Sequence, residues 1–326
     1  MNKEKTTLSH ESEKQSTRTG LSVRGANIFF LCYTVLSLGL TSVRIPGLPM
    51  TWVALIYYIP VLAVAFLLCR KEGTRMGTAF GFHGIKPLTI LLTAITCMAM
   101  HSVSHLISSL TNLLFPSFFK ATSEDLLGGS FLVNFIGVAI IPAFFEEFIV
   151  RGGMLNSYLN TGRLRTAVLL TALLFGLLHM NPTQFFYAFA MGIVLGLLFV
   201  LSGSIWPGIL FHFLNNAMAP IANLAEERYG EAFVRRYLFP FSRGLSDPKS
   251  ALVTVIASAV GLVIICLCLR GIARCEGSED RLHLCIHGGG GTAKLVTPAL
   301  IIAMILMAAM TVMVVVSLTK MLQLQS

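Results

Sequence analysis

Seven ionisable side chains fall inside the long apolar runs of this chain: His101, His105, Glu146, Glu147, Arg151, His179 and His212. Such groups are costly in an apolar run, and by default they mark function. Glu146 and Glu147 lie in the segment Pro142-Ala-Phe-Phe-Glu-Glu-Phe-Ile-Val-Arg151. On a helix Glu147 precedes Arg151 by four residues, the favourable order for an ion pair. In a low dielectric that pair neutralises both partners, although desolvation offsets much of the gain. Glu146 is rotated by about 100° and has no partner on its own helix. An unpaired carboxylate suits a general base or acid. Pro142 cannot donate a helical hydrogen bond, so a kink is expected just before the pair.

His179 shares a helix face with Phe175, and His212 with Asn216, each four apart. With a turn at Thr161–Arg165, Glu146 and His179 both lie roughly 21–23 Å from it at ~1.5 Å per residue. After a second turn near Ser202–Ser204, Asn216 reaches about 18 Å and His212 about 12 Å. Four helices thus bring Glu146, His179 and Asn216 to one depth, with His212 one turn shallower. This requires the helix of Glu146 to run on through Gly152 and Gly153 to about Asn160.

A carboxylate, two imidazoles and an amide can activate water and attack a carbonyl. Glu146 takes the proton, His179 positions the water, and His212 and Asn216 bind the oxyanion. A divalent metal such as Zn2+, held by Glu146, His179 and His212, would polarise the same water. The zincin motif HExxH is absent, and no Ser or Cys nucleophile sits beside a histidine in an obvious motif. His101 and His105 also share a face, but no carboxylate accompanies them, and polar contacts inside the bundle are the expected role. Cys275, His283, Cys285 and His287 match no standard zinc spacing. The glycines Gly288 to Gly291 after them read as a linker between two spans.

The elements that must position these groups follow from composition. The chain has 326 residues, 55% hydrophobic and only 12% charged. Soluble domains are nearer one quarter charged, so the membrane is the expected solvent. The net charge of +9 comes from basic residues between apolar runs, where the positive-inside rule predicts them, and nucleic acid is not an expected partner. The cysteines form no CxxC pair and no disulfide framework. The expected fold is an all-α polytopic transmembrane bundle of about eight to nine spans. Candidate spans are 26–43, 50–69, 88–115, 126–150, 166–180, 184–201, 205–224, 251–269 and 295–319, each near the ~20 residues that cross ~30 Å of hydrocarbon. Residues 1–25 read as a polar cytoplasmic tail, 26–125 as N-terminal transmembrane helices, 126–224 as the catalytic core, and 225–326 as a basic loop with C-terminal helices. Lysines and arginines in 1–25 and 70–86 place the N-terminus in the cytoplasm. The alternation then makes 225–250 external, against its Arg228, Arg235, Arg236, Arg243 and Lys249. That loop could meet an acidic substrate or anionic headgroups.

Three motifs, Glu146-Glu147-xxx-Arg151, Phe175-xxx-His179 and His212-xxx-Asn216, occur in order within about 70 residues. Together they resemble the CPBP intramembrane protease family, which includes the type II CAAX prenyl endopeptidases and the bacterial Abi proteins. The resemblance covers roughly residues 126–224. It implies a helical bundle with its site in the membrane. It also implies that Glu146 activates water with His179, that His212 and Asn216 stabilise the oxyanion, and that Arg151 holds the second glutamate. The family is commonly labelled metalloprotease, and a metal-free glutamate mechanism fits the same residues. Expected partners are membrane lipids and a hydrophobic or lipidated peptide, in the cell membrane. The prenyl endopeptidases work from the cytosolic side, whereas the topology above puts Glu146 and His179 nearer the external face. Two other readings are a non-catalytic scaffold, such as an immunity protein, and an ion-coupled transporter. Buried Glu, Arg and His serve proton relays too, but no pair of interrupted repeat helices is present.

Overall fold

The computed structural model describes residues 19–41, 50–115, 130–238, 244–289 and 291–325. Residues 1–18 of the polar tail, Arg44, Lys120 and Arg243 lie outside them. All regular structure among the described residues is helical: α1 (Val23–Thr41), α2 (Met50–Glu72), α3 (Met76–Ala79), α4 (Pro87–Leu114), α5 (Phe131–Leu159), α6 (Leu164–Leu178), α7 (Pro182–Ser202), α8 (Trp206–Tyr229), α9 (Glu231–Tyr237), α10 (Pro248–Glu276), α11 (Glu279–His287) and α12 (Pro298–Gln325).

The described part of each of the nine expected spans falls mainly on a helix, but among the described residues six helices are long and apolar enough to cross a membrane: α2, α4, α5, α7, α10 and α12. The count of eight to nine is therefore not reproduced. The apolar parts of α1 and α6 are too short. The 24-residue α8 carries His212, Asn215, Asn216, Glu226, Glu227 and Arg228, which lower its hydropathy. The stretch with Cys275, His283, Cys285 and His287, ahead of the expected glycine linker, is largely helical. α10 continues to Glu276, and α11 starts behind Ser278 with Glu279 and Asp280 in its first turn, where acids complement the helix dipole.

Large apolar side chains such as Leu67, Leu113 and Ile305 are exposed on the outside of the bundle, as lipid-facing residues are. Lipid supplies no hydrophobic drive between helices, so close packing and interhelical hydrogen bonds must hold them. Small residues provide the contacts. A Cβ on Gly192 of α7 would lie 2.9 Å from the Ala172 backbone of α6, and one on Gly261 of α10 would lie 2.7 Å from the Ala99 carbonyl of α4. Polar cross-links add to this. Ser102 and Ser258 each donate to a carbonyl of the other's helix. Buried Asn27 of α1 donates to the Leu295 carbonyl and the Thr297 hydroxyl and accepts from Tyr158 of α5.

α5 carries the glutamates and is not a plain α-helix. It has π-helical turns at Phe135–Ile140 and Phe148–Leu155, on either side of an α-helical segment at Ile141–Glu147. Pro142 sits at the start of that segment, so the first π turn absorbs its missing N–H. Gly152 and Gly153 do not break the helix. Phe80 and Phe29 pack so closely on them that a Cβ would come within 2.9 Å and 2.6 Å of the rings.

The charges divide the bundle. One end joins the segment before α1 to the α2–α4, α5–α6, α7–α8 and α10–α12 connections, through contacts such as Ile205 N–H to Gly81 O, Ser278 to Leu201 O and Arg163 to Ala293 O. It carries Arg24, Arg70, Lys71, Arg75, Lys86, Arg163, Arg165, Arg270, Arg274, Arg281 and Lys294. At the opposite end the described basic residues are Arg228, Arg235, Arg236, Lys249 and Lys320, interleaved with Glu226, Glu227, Glu231 and Asp247.

Candidate active site

Glu147 and Arg151 have fully buried side chains and form the ion pair expected from their spacing, Nη1 to Oε1 at 3.0 Å. Arg151 also donates from Nη2 to the Gly192 carbonyl at 3.1 Å, and its guanidinium lies 4.4 Å from the Phe175 ring centre. The tight α6–α7 packing at Gly192 brings that carbonyl within reach. Thus α5, α6 and α7 all contribute to holding one cation.

The same Glu147 oxygen accepts a hydrogen bond from His212 Nδ1 at 3.1 Å. A carboxylate only accepts, so Nδ1 carries the proton and Nε2 points onward. Nε2 faces Glu146, 4.0 Å from Oε2. Gly208, one turn before His212, allows this approach of α8, because a Cβ there would lie 2.7 Å from Glu147 Oε2. The two adjacent carboxylates differ sharply. The Glu147 side chain has no exposed surface and holds Arg151 and His212 on Oε1, whereas that of Glu146 is 21% exposed; the Oε2 of each has no hydrogen-bond partner among the described residues.

His179 caps α6 at its C-terminus. Its Nδ1 lies 2.9 Å from the Phe175 carbonyl and must donate to it, which leaves Nε2 as the free lone pair. The Phe175 ring stands edge-on between the two imidazoles, 5.1 Å from His179 and 5.6 Å from His212. The next residue, Met180, has φ 46°, the left-handed region. Such strain in a non-glycine residue concentrates at functional sites.

Asn216 donates to the Val138 carbonyl at 3.1 Å and accepts from Asn215 at 3.0 Å. The structure thus brings Glu146, Glu147, Arg151 and His212 into one cluster, links His179 to it through Phe175, and sets Asn216 one turn along the His212 face. The expected depths change in one respect: His212, not Asn216, is level with the glutamates. The π turn at Phe148–Leu155, which fits more residues into each turn, shortens the path from the basic end to Glu147 and accounts for part of this shift. Among the described residues no three His, Cys, Asp or Glu side chains form a metal-binding group. Glu147 is taken by Arg151 and His212, and His179 Nδ1 by its own helix.

Three neighbours of Glu146 carry no sequence signal. The phenols of Tyr33 in α1, Tyr58 in α2 and Tyr187 in α7 lie within its electrostatic reach, and Tyr58 packs face to face on Phe145 at 3.9 Å. Tyrosines on other helices at no fixed spacing offer no pattern to find. An apolar cavity of about 360 Å3 adjoins His179, lined mainly by Gly176, Leu177, Met180, Phe185, Phe186 and Val312.

Residues 128–218 match the family model described as type II CAAX prenyl endopeptidase Rce1-like. The match spans less than a third of the chain and contains Glu146, Glu147, Arg151, Phe175, His179, His212 and Asn216. The resemblance to the CPBP/CAAX protease family therefore rests on the family model as well as on the three motifs. No curated protein and no solved structure matches the chain.

Proposed function

We propose that this protein is an intramembrane endopeptidase that hydrolyses a peptide bond of a hydrophobic or lipidated substrate. The observation that carries the reading is the chain of contacts from Arg151 through Glu147 to His212, whose Nε2 ends 4.0 Å from the partly exposed Glu146. Glu146 is the partly exposed carboxylate and acts as general base, taking a proton from water as its oxygen attacks the carbonyl carbon. His179, with Nε2 free, orients that water. His212 carries protons on both nitrogens. Glu147 holds Nδ1–H, and Nε2–H and the Asn216 amide meet the developing oxyanion. The protonated Glu146 then delivers its proton to the leaving amine.

Charge balance supports this assignment. With His212 protonated, Glu146, Glu147, Arg151 and His212 sum to zero, which a low-dielectric site requires. After attack the negative charge has moved from Glu146 to the oxyanion, and the sum is unchanged. No step passes through a metal.

The cavity beside His179 suits an apolar side chain or lipid chain next to the scissile bond. The basic end belongs in the cytoplasm. His179 lies at the far end of the 15-residue α6, roughly 22 Å from that end. The hydrocarbon is about 30 Å thick, so the shorter route to water leads to the opposite face. The site then acts on segments presented from the non-cytoplasmic side.

The test is cleavage of a panel of prenylated and hydrophobic peptides by purified protein in detergent. Wild type is compared with Glu146→Gln and His179→Ala, with and without a chelator. Activity lost in both variants and insensitive to the chelator is expected. Equal cleavage by all three proteins would refute the assignment, and loss with the chelator would refute the metal-free route. A non-catalytic scaffold would bind its partner equally well as Glu146→Gln and cleave nothing.

A further inference from the structure

The second half of α4 holds polar side chains that the catalytic cluster does not use. His101 Nε2, Ser104 Oγ, His105 Nδ1 and Asn112 Oδ1 are buried atoms with no hydrogen-bond partner among the described residues. At about 100° per residue these side chains and Ser108 fall within one arc of roughly 100°. They form a polar stripe along a helix that is otherwise apolar enough to cross a membrane. Buried polar atoms without partners cost about 1–3 kcal/mol each, so the stripe burdens the resting protein.

Both ends of the stripe meet the site. α4 and α8 run parallel, because His83 bonds Ser204 just before them and Cys97 contacts the Phe211 carbonyl further on. Four residues onward on each helix, His101 is level with Asn215, whose side chain bonds Asn216. At the other end Phe115, just beyond α4, lines the apolar cavity beside His179. The stripe therefore connects the Asn216 flank of the site to its His179 flank.

A peptide bond must leave helical form to be cleaved, and the unwound main chain then exposes N–H and C=O groups that lipid cannot satisfy. Each side has what the other lacks. Building on the peptidase reading, we propose that the α4 stripe of His101, Ser104, His105 and Asn112 is the wall that hydrogen-bonds the substrate main chain around the scissile bond.

The test measures binding, so it does not depend on turnover. A fluorescein-labelled leucine-alanine dodecapeptide and its backbone N-methylated analogue are titrated onto full-length Glu146→Gln protein in detergent. The titrations are repeated with His105→Leu and Asn112→Leu added singly and together. The parent peptide should bind about tenfold more weakly to the double substitution, the equivalent of one or two hydrogen bonds. The N-methylated analogue should bind weakly to every form. The melting temperature should hold or rise, because unpaired polar atoms have been replaced by apolar ones. Unchanged affinity for the parent peptide, or equal affinity for the N-methylated one, would overturn the proposal. So would a fall in melting temperature matching the loss of binding, since that is the mark of a structural role. Peptide that binds as described but is never cleaved by wild type would refute the peptidase reading and leave the wall in place.

Discussion

Replacing Arg151 by Met tests how the cluster is held. Arg151 is the bulkiest fully buried side chain among the described residues, and it pairs with Glu147, the Gly192 carbonyl and the Phe175 ring. Methionine keeps much of the volume and removes the charge. The Glu147 carboxylate is then left in the interior with His212 as its remaining partner. Breaking a buried pair from one side costs about 3–5 kcal/mol, mostly the penalty of the stranded charge. The desolvated cation–π contact adds up to about 2 kcal/mol. Glu147→Gln strands the Arg151 cation instead and should cost a similar amount. Glu147→Gln combined with Arg151→Met strands neither charge. Its cost should lie below that of either single change, with a coupling of at least about 2 kcal/mol. Unfolding in mixed micelles, followed by tryptophan fluorescence or circular dichroism, measures all three. The double variant should fold and yet cleave at least about a hundredfold more slowly, because His212 has lost the carboxylate that holds its Nδ1–H and balances its charge. Additive costs would show that the pair is not stabilised as a unit, and the reasoning from the buried constellation would fail.

Further outcomes follow from single positions. Gly208→Ala puts a Cβ 2.7 Å from Oε2 of Glu147, the carboxylate whose other oxygen Arg151 and His212 hold in place; activity should fall at least about tenfold with little change in melting temperature, as a steric shift at His212 predicts. Met180→Gly relieves a positive φ and should be more stable than Met180→Ala by about 1 kcal/mol in the same micelle assay. In sealed cells, an impermeant maleimide should label Lys249→Cys from outside and Lys294→Cys only after permeabilisation; the reverse pattern would invert the assigned orientation.

Much of the site was legible because its contacts are local. The i to i+4 spacing of Glu147 with Arg151 and of Phe175 with His179 translates directly into the pair and the carbonyl bond that the structure contains. The helical class followed from hydropathy alone. The vertical register did not, because π turns depend on how Gly152 and Gly153 receive Phe80 and Phe29, a tertiary fact without periodic signature. That is why His212 was expected one turn too shallow. The span count is not reproduced for a related reason: α8 has the length to cross a membrane but carries the polar residues of the site. Tyr58, Tyr187 and Gly192 joined the site through helix packing that no spacing rule encodes.

Adjacent glutamates of identical chemistry are set in two different environments by about 100° of helix rotation. Glu147 faces inward, where Arg151 and His212 converge on a single oxygen and no surface remains for water. Its second oxygen has no partner but is buried, so water does not reach it. Glu146 faces a quarter turn away, with an oxygen that nothing in the described structure satisfies and a fifth of its side chain open. On the proposed mechanism, burial suits one to orientation and the other to proton transfer. The assignment also explains why the buried cation is an arginine on α5 itself. A guanidinium four residues on reaches the inward glutamate and, through its second arm, the backbone of α7. A lysine offers one point charge and no planar face for Phe175, so it would hold Glu147 without fixing α7 or the ring between the two histidines.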